Sequence, residues 1–361
     1  MQPSQELKQS FRTASLWATA LVVLIHYRSA AATGGNLNGW LQEILINGIA
    51  RIAVPVFAFA AGFFYFLTFT GSYNNYLAKL RQRAASLLVP HLLISLIALA
   101  SWSTIQMMLG KPTQLEPAQF FSRILLHPLA EQLWFLRDLM LLVIAAPLIQ
   151  FAVRRAPGIT LGSLAVLWTM EWQPAPIVAG WYALNVETLL GFTLGCWAVT
   201  RIDLLESLIR APKAVCFALL ATWSLLLATR VAIDPSFDNW YVRDFTTLSL
   251  LLQKAAIATG CLGLLSIARR IENQRLSRLA EFSFFVYLVH EFPMREVLRR
   301  VTSKIVGEEF SFWIAAPTAI VCSLLLAQFA SRYTPTLIAV LTGGRTMKPI
   351  SLSAARPRWR Y

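Results

Sequence analysis

The sequence predicts an all-α fold: a polytopic transmembrane helical bundle of about ten spans, with both termini cytoplasmic. Three observations carry that expectation. The 361-residue chain is 57% hydrophobic and only 14% charged, with a mean hydropathy of +0.56, whereas a soluble domain is about 25% charged. Apolar stretches long enough to cross a hydrocarbon core of ~30 Å as helices recur from one end to the other. Basic residues gather in alternate loops between those stretches, the pattern that orients membrane proteins.

The expected spans lie near 12–32, 48–70, 84–108, 133–153, 159–174, 180–200, 212–232, 245–268, 279–294 and 311–332. The first contains an uncharged apolar run, Thr13 to Tyr27, that includes His26 and is followed by Arg28. Its length and its lack of a small-residue cleavage site distinguish it from a cleaved signal peptide. The second carries VPVFAFAAGFFYF (Val54 to Phe66), with a small-residue step at Ala60, Ala61 and Gly62. The third follows the basic stretch KLRQRAASLLVPH (Lys79 to His91), and the fourth opens with EQLWFLRDLMLL (Glu131 to Leu142). The fifth and ninth are short for a full crossing. The ninth contains FSFFVYLVHE (Phe282 to Glu291), followed by Arg295, Arg299, Arg300 and Lys304 among glutamates, as on an amphipathic surface helix. Without internal repeats or a long linker, the chain divides into a membrane domain, 1–342, and a loose basic cytoplasmic tail, 343–361.

Orientation follows from the loops. With the N-terminus inside, the inner segments hold Lys8, Arg12, Lys79, Arg81, Arg83, Arg154, Arg155, Arg201, Arg210, Arg269 and Arg270. The tail adds Arg345, Lys348, Arg356, Arg358 and Arg360. The net charge of +14 is therefore topological, placed beside anionic headgroups rather than shaped for nucleic acid. Cys196, Cys216, Cys261 and Cys322 all lie in apolar spans without metal-ligand spacing, so neither zinc nor a disulfide framework is indicated. P-loop, GxGxxG, HExxH and GxSxG patterns are missing, which excludes ATP-driven transport and the common soluble hydrolase mechanisms.

An ionisable group within an apolar helix is costly and marks a reaction or transport path. His26 is the foremost case, and Glu187 and Lys254 are isolated charges in the sixth and eighth spans. His26 together with the second-span step, the Arg81-x-Arg83 pair before a leucine-proline stretch, the Trp-Phe-Leu start at Trp134 and the Tyr-Leu-x-His segment at Tyr287 resembles the acyltransferase-3 family. The resemblance runs from about Phe11 to His290 and continues less specifically to Arg332. It departs from the family at Ser15, where the first helix usually carries a basic residue, at Ala61, and in the spacing of Arg81 and Arg83. Arg12, the nearest basic residue, would lie roughly 21 Å from His26 along a helix axis.

The resemblance implies an integral-membrane O-acyltransferase that moves an acyl group, acetyl by family likeness, from acyl-CoA to a hydroxyl of an envelope glycan or other sugar-like acceptor. It also implies a bacterial-type inner (plasma) membrane. The expected general base is His26, since an imidazole can take the acceptor's proton near neutral pH. Arg81 and Arg83 suit the phosphates of the donor, which guanidinium binds in bidentate fashion; Arg12 is the remaining donor-side candidate. Trp134, Arg137 and Asp138 would meet the acceptor, with a structural ion pair as the competing reading of Arg137 and Asp138. Tyr287, His290 and Glu291 would line the cavity. His91 and His127 have weaker cases. The partners expected are the lipid bilayer, acyl-CoA as donor substrate and an envelope glycan or lipid-linked sugar, with no metal and no permanently bound cofactor. A secondary transporter or flippase relaying through His26, Arg137, Asp138 and Glu187 is the rival class, and an inactive scaffold the third.

Overall fold

The structure, a computed structural model, describes residues 2–29, 36–111, 116–173, 176–178, 181–234, 246–345 and 347. Lys348, Arg356, Arg358 and Arg360 of the basic tail, and the edges of four expected spans at 30–32, 174, 180 and 245, lie outside them. The described chain is helical apart from an antiparallel ribbon of β1 (Pro176–Val178) and β2 (Trp181–Tyr182). In order, the principal helices begin with α1 (Gln5–His26), α2 (Leu37–Phe66), α3 (Tyr73–Met108), α4 (Glu131–Ile144), α5 (Ala146–Arg155) and α6 (Pro157–Thr169). They continue with α7 (Val186–Ile209), α8 (Lys213–Ile233) and α9 (Thr247–Ile271). The last are α10 (Gln274–Ala280), α11 (Ser283–Val289), α12 (Met294–Val306), α13 (Glu308–Tyr333) and α14 (Pro335–Leu341).

Six of these, α2, α3, α7, α8, α9 and α13, are long and apolar enough to cross a membrane. The chain is a multi-pass membrane protein. The row of ten expected spans is corrected at the fourth, and the fifth and ninth are short, as their apolar lengths suggested. The fourth expected span is not straight: α4 and α5 meet at 64°, where Pro147 stands in the first turn of α5 and supplies no N–H to continue the ladder. The fifth, α6, has only 13 residues, about 20 Å of helix. The ninth, 279–294, holds the seven-residue α11 between the end of α10 and the start of α12. The first, α1, is long enough at 22 residues, but Glu6, Lys8, Arg12 and His26 leave it more polar than the six. The expected surface helix after the ninth span is α12, strongly two-faced and nearly without buried residues.

Side-chain caps set several boundaries. Ser4 Oγ accepts from the Leu7 N–H at the start of α1, Asn185 Oδ1 from Glu187 at α7 and Thr246 Oγ1 from Ser249 at α9. The bundle is tightest where α2 meets α7. A Cβ at Gly62 would stand 2.1 Å from the Phe192 carbonyl oxygen, and one at Gly195 would stand 2.4 Å from that of Phe59. The small-residue step thus serves close backbone approach, the usual means of joining helices in lipid. Leu148, Phe217, Leu225 and Phe329 are exposed on the outer surface, as suits a hydrocarbon surround. α1 lies at the centre, packed against α2, α9, α10, α11 and α13. One end of α1 is held by Glu6, which accepts from Arg210 at 3.0 Å and Arg269 at 2.7 Å. The opposite end carries His26.

Candidate active site

His26 is the last residue of α1, and His290 follows the last turn of α11. Their rings lie side by side, tilted at 59°, with centroids 5.2 Å apart. The approach is fixed by the backbone around it. Tyr27, fully buried, donates its hydroxyl to the His290 carbonyl at 2.7 Å. The Tyr287 hydroxyl donates to the Gln132 carbonyl, and the Gln132 amide donates to the Leu288 carbonyl at 3.1 Å. The short α11 is thereby stitched to both α1 and the start of α4.

The two imidazoles differ in what they hold. His290 Nδ1 lies 3.1 Å from the Val286 carbonyl; since a carbonyl only accepts, that nitrogen carries the proton. Its Nε2 is buried and has no partner among the described residues. His26 is part-buried and makes no hydrogen bond among the described residues. Beside it lie two carboxylates: ligand atoms of His26, Glu131 and Glu291 all fall within 4.8 Å of one another. Such a trio could hold a cation in geometry. However, Arg295 already sits on both carboxylates, 2.6 Å from Glu291 and 3.6 Å from Glu131, and its charge opposes a metal ion there. The arrangement is an open imidazole backed by carboxylates and a guanidinium, able to accept a proton and stabilise the imidazolium that forms.

Of the other sequence-predicted residues, Tyr287, His290 and Glu291 join His26. Arg137 and Asp138 form a separate knot. Asp138, fully buried, pairs with Arg137 at 2.9 Å and accepts from the Asn185 N–H at 2.8 Å. Arg137 also donates to the carbonyls of Leu126 and Tyr182. The pair thus ties α4 to β2 and the start of α7, with both carboxylate oxygens of Asp138 engaged. Trp134 packs edge-on against Phe135 at 5.8 Å and is half-buried. Arg12 is exposed and, on a single unbroken α1, about 21 Å from His26; the structure does not bring them together. Arg81 is exposed, while Arg83 turns inward over the Tyr65 ring, 5.9 Å from its centroid. His91 is buried between the Leu133 and Ile124 carbonyls. His127 takes a hydrogen bond with Ser122 and lies outside the spans, where burial, Arg123 and Arg137 push its pKa down.

The isolated charges acquire partners. Glu187 accepts from the Trp168 indole at 2.8 Å, and Lys254 pairs with Glu171 and lies over the Trp168 ring. Sequence reasoning missed Glu131 and Arg295 as members of the site, and Arg230, fully buried and 3.5 Å from Glu43. The Glu291–Arg295 spacing, four residues, is a helical ion-pair signal that could have been read; nothing local marks Glu131.

The sequence profile of the acyltransferase-3 family, described as an acyltransferase domain, matches residues 16–332. The chain is also 26% identical over 322 residues to the succinoglycan biosynthesis protein ExoH of Rhizobium meliloti (strain 1021), covering 85% of this chain and 83% of that one. No solved structure matches. With a profile spanning most of its length, this chain belongs to the acyltransferase-3 family and is a membrane O-acyltransferase.

Proposed function

We propose that the protein transfers an acyl group, acetyl being the first to test, from acyl-CoA to a hydroxyl of an envelope glycan or lipid-linked sugar in a bacterial inner membrane. The observation that supports it best is His26: an imidazole without a hydrogen bond among the described residues, beside His290, whose Nε2 has no partner among them, and two carboxylates. His26 would take the acceptor's proton as its oxygen attacks the thioester carbonyl. The carbon–sulfur bond breaks, and the proton passes to the departing thiolate. Glu131 and Glu291 would steady the transient imidazolium, with Arg295 keeping the carboxylates in place. The His290 Nε2, fixed as an acceptor, would take a hydrogen bond from a neighbouring hydroxyl of the sugar and so orient it. A polysaccharide acceptor is favoured by the name of the Rhizobium meliloti relative, a succinoglycan biosynthesis protein.

The test is mass spectrometry of envelope glycans from cells expressing the wild type, His26→Ala or neither. An acyl-sized mass gain confined to the wild type is expected. A gain that survives His26→Ala would overturn the mechanism while keeping the enzyme.

A further inference from the structure

A second cluster lies towards the other end of α11, near Phe284. Lys79 and Arg83, four residues apart on α3, both face the Tyr65 ring, the ammonium 4.7 Å and the guanidinium 5.9 Å from its centroid. The third cation comes from beyond α14. The chain turns at Gly343, whose φ of +68° is open to glycine. The fit there is close: a Cβ would stand 2.4 Å from the Ser86 Cα. That contact seats Arg345 against α3, where it donates to the Ser86 carbonyl at 3.2 Å and stacks 3.7 Å over the Phe284 ring. Burial, and after it the like charge of Arg83, pushes the Arg345 pKa down to about 10.

None of Lys79, Arg83 and Arg345 has a carboxylate partner among the described residues. Elsewhere in the bundle Arg137, Arg210, Arg230, Arg269, Arg295 and Lys254 each have one. Like charges gathered without a counter-ion repel one another, and a multiply charged anion removes that cost. The Tyr65 hydroxyl and the Ser86 hydroxyl beside them are buried without partners. Ser86 lies in a π-helical turn, Ala84–Leu88, a local irregularity often found at functional sites.

The face of α11 joins this cluster to the histidines. Phe284 stacks on Tyr287 at 6.1 Å, Tyr287 lies 6.2 Å from His290, and His290 lies beside His26. Phe284 and His290 are separated by about 9 Å of helical rise, well within the reach of a pantetheine arm.

We infer that Arg345, with Arg83 and Lys79, forms a phosphate site for the donor nucleotide, so that the turn after α14 is part of the donor-binding machinery. This rests on the acyl-CoA reading above. The test is calorimetry of coenzyme A and of inorganic pyrophosphate binding to the full chain in nanodiscs, for the wild type, Arg345→Gln and Arg345→Lys. The wild type is expected to bind both, more weakly as salt rises. Arg345→Gln should weaken both by about 10- to 100-fold, the scale of charge-assisted hydrogen bonds; Arg345→Lys should fall between. If Arg345→Gln does not fold, Arg345→Lys decides alone, since a lysine keeps the charge but loses the guanidinium fork. Arg345 variants that bind pyrophosphate as the wild type does would overturn the inference and leave the donor reading standing. A wild type that binds pyrophosphate through Arg345 but not coenzyme A would overturn the donor reading instead. Binding of neither would overturn both.

Discussion

The Arg137–Asp138 knot and the His26–His290 pair are both buried polar groups among apolar helices, yet they are built in opposite ways. Each oxygen of Asp138 is engaged, one by Arg137 and one by the Asn185 N–H. His26, by contrast, makes no hydrogen bond among the described residues, and one nitrogen of His290 is open. A buried polar group without a partner costs free energy that folding alone gives no reason to keep. Pairing therefore distinguishes two groups that the sequence left side by side: the knot holds the chain together, and the imidazoles keep unpaired nitrogens, as the proposed mechanism requires.

The sharpest way to break this comparison is to remove one group from each side. His26→Ala should lower acyl transfer by about 10²- to 10⁴-fold, the usual contribution of a general base, while the melting temperature in detergent stays at the wild-type value. Asp138→Ala should do the reverse. Leaving Arg137 buried without its carboxylate costs on the order of 3–5 kcal/mol, so the variant should unfold at markedly lower temperature or fail to accumulate. An Asp138→Ala protein that melts normally but has lost transfer would move the knot into the active site.

A smaller change tests the link between the histidine and its carboxylates. Glu291→Gln keeps the shape but removes the charge beside His26 and leaves Arg295 with Glu131, 3.6 Å away. We expect transfer to fall by about 10-fold, in keeping with roughly 1.4 kcal/mol of lost imidazolium stabilisation. Transfer rates for Glu291→Gln and Glu131→Gln, measured together, show which carboxylate acts. Equal losses would mean that they act as one unit through Arg295.

His26 was legible because a lone ionisable group in the run Thr13 to Tyr27 has few bland explanations. His290 and Glu291 were legible only through the Tyr-Leu-x-His likeness. The six long helices, and the shortness of α6 and α11, could be read from apolar length, but the 64° bend between α4 and α5 could not: hydropathy does not record a change of direction within an apolar run. Arg137 and Asp138 could be read as a site or as a structural ion pair, because adjacency in sequence says nothing of the Asn185 N–H that joins them. Glu131 and Arg295 come from segments 164 residues apart in the chain, and no local pattern announces such a meeting. Arg345 fell in what reads as a loose tail, yet the turn at Gly343 seats it against Ser86.

The finest test is Tyr27→Phe, which alters neither histidine. Tyr27 belongs structurally to the knot's class, since its buried hydroxyl is satisfied by the His290 carbonyl. Functionally it belongs to the other class, because that bond sets the 5.2 Å approach of the two rings. Losing the hydroxyl should cost about 0.5–1.5 kcal/mol of stability, a drop of a few degrees in melting temperature. If the hydroxyl only braces the fold, transfer measured well below melting will match the wild type. If it also positions His290, transfer will fall several-fold under the same conditions, because small misplacement of a reacting group is expensive. We expect the second result, since among the described residues no other hydroxyl hydrogen-bonds to His290.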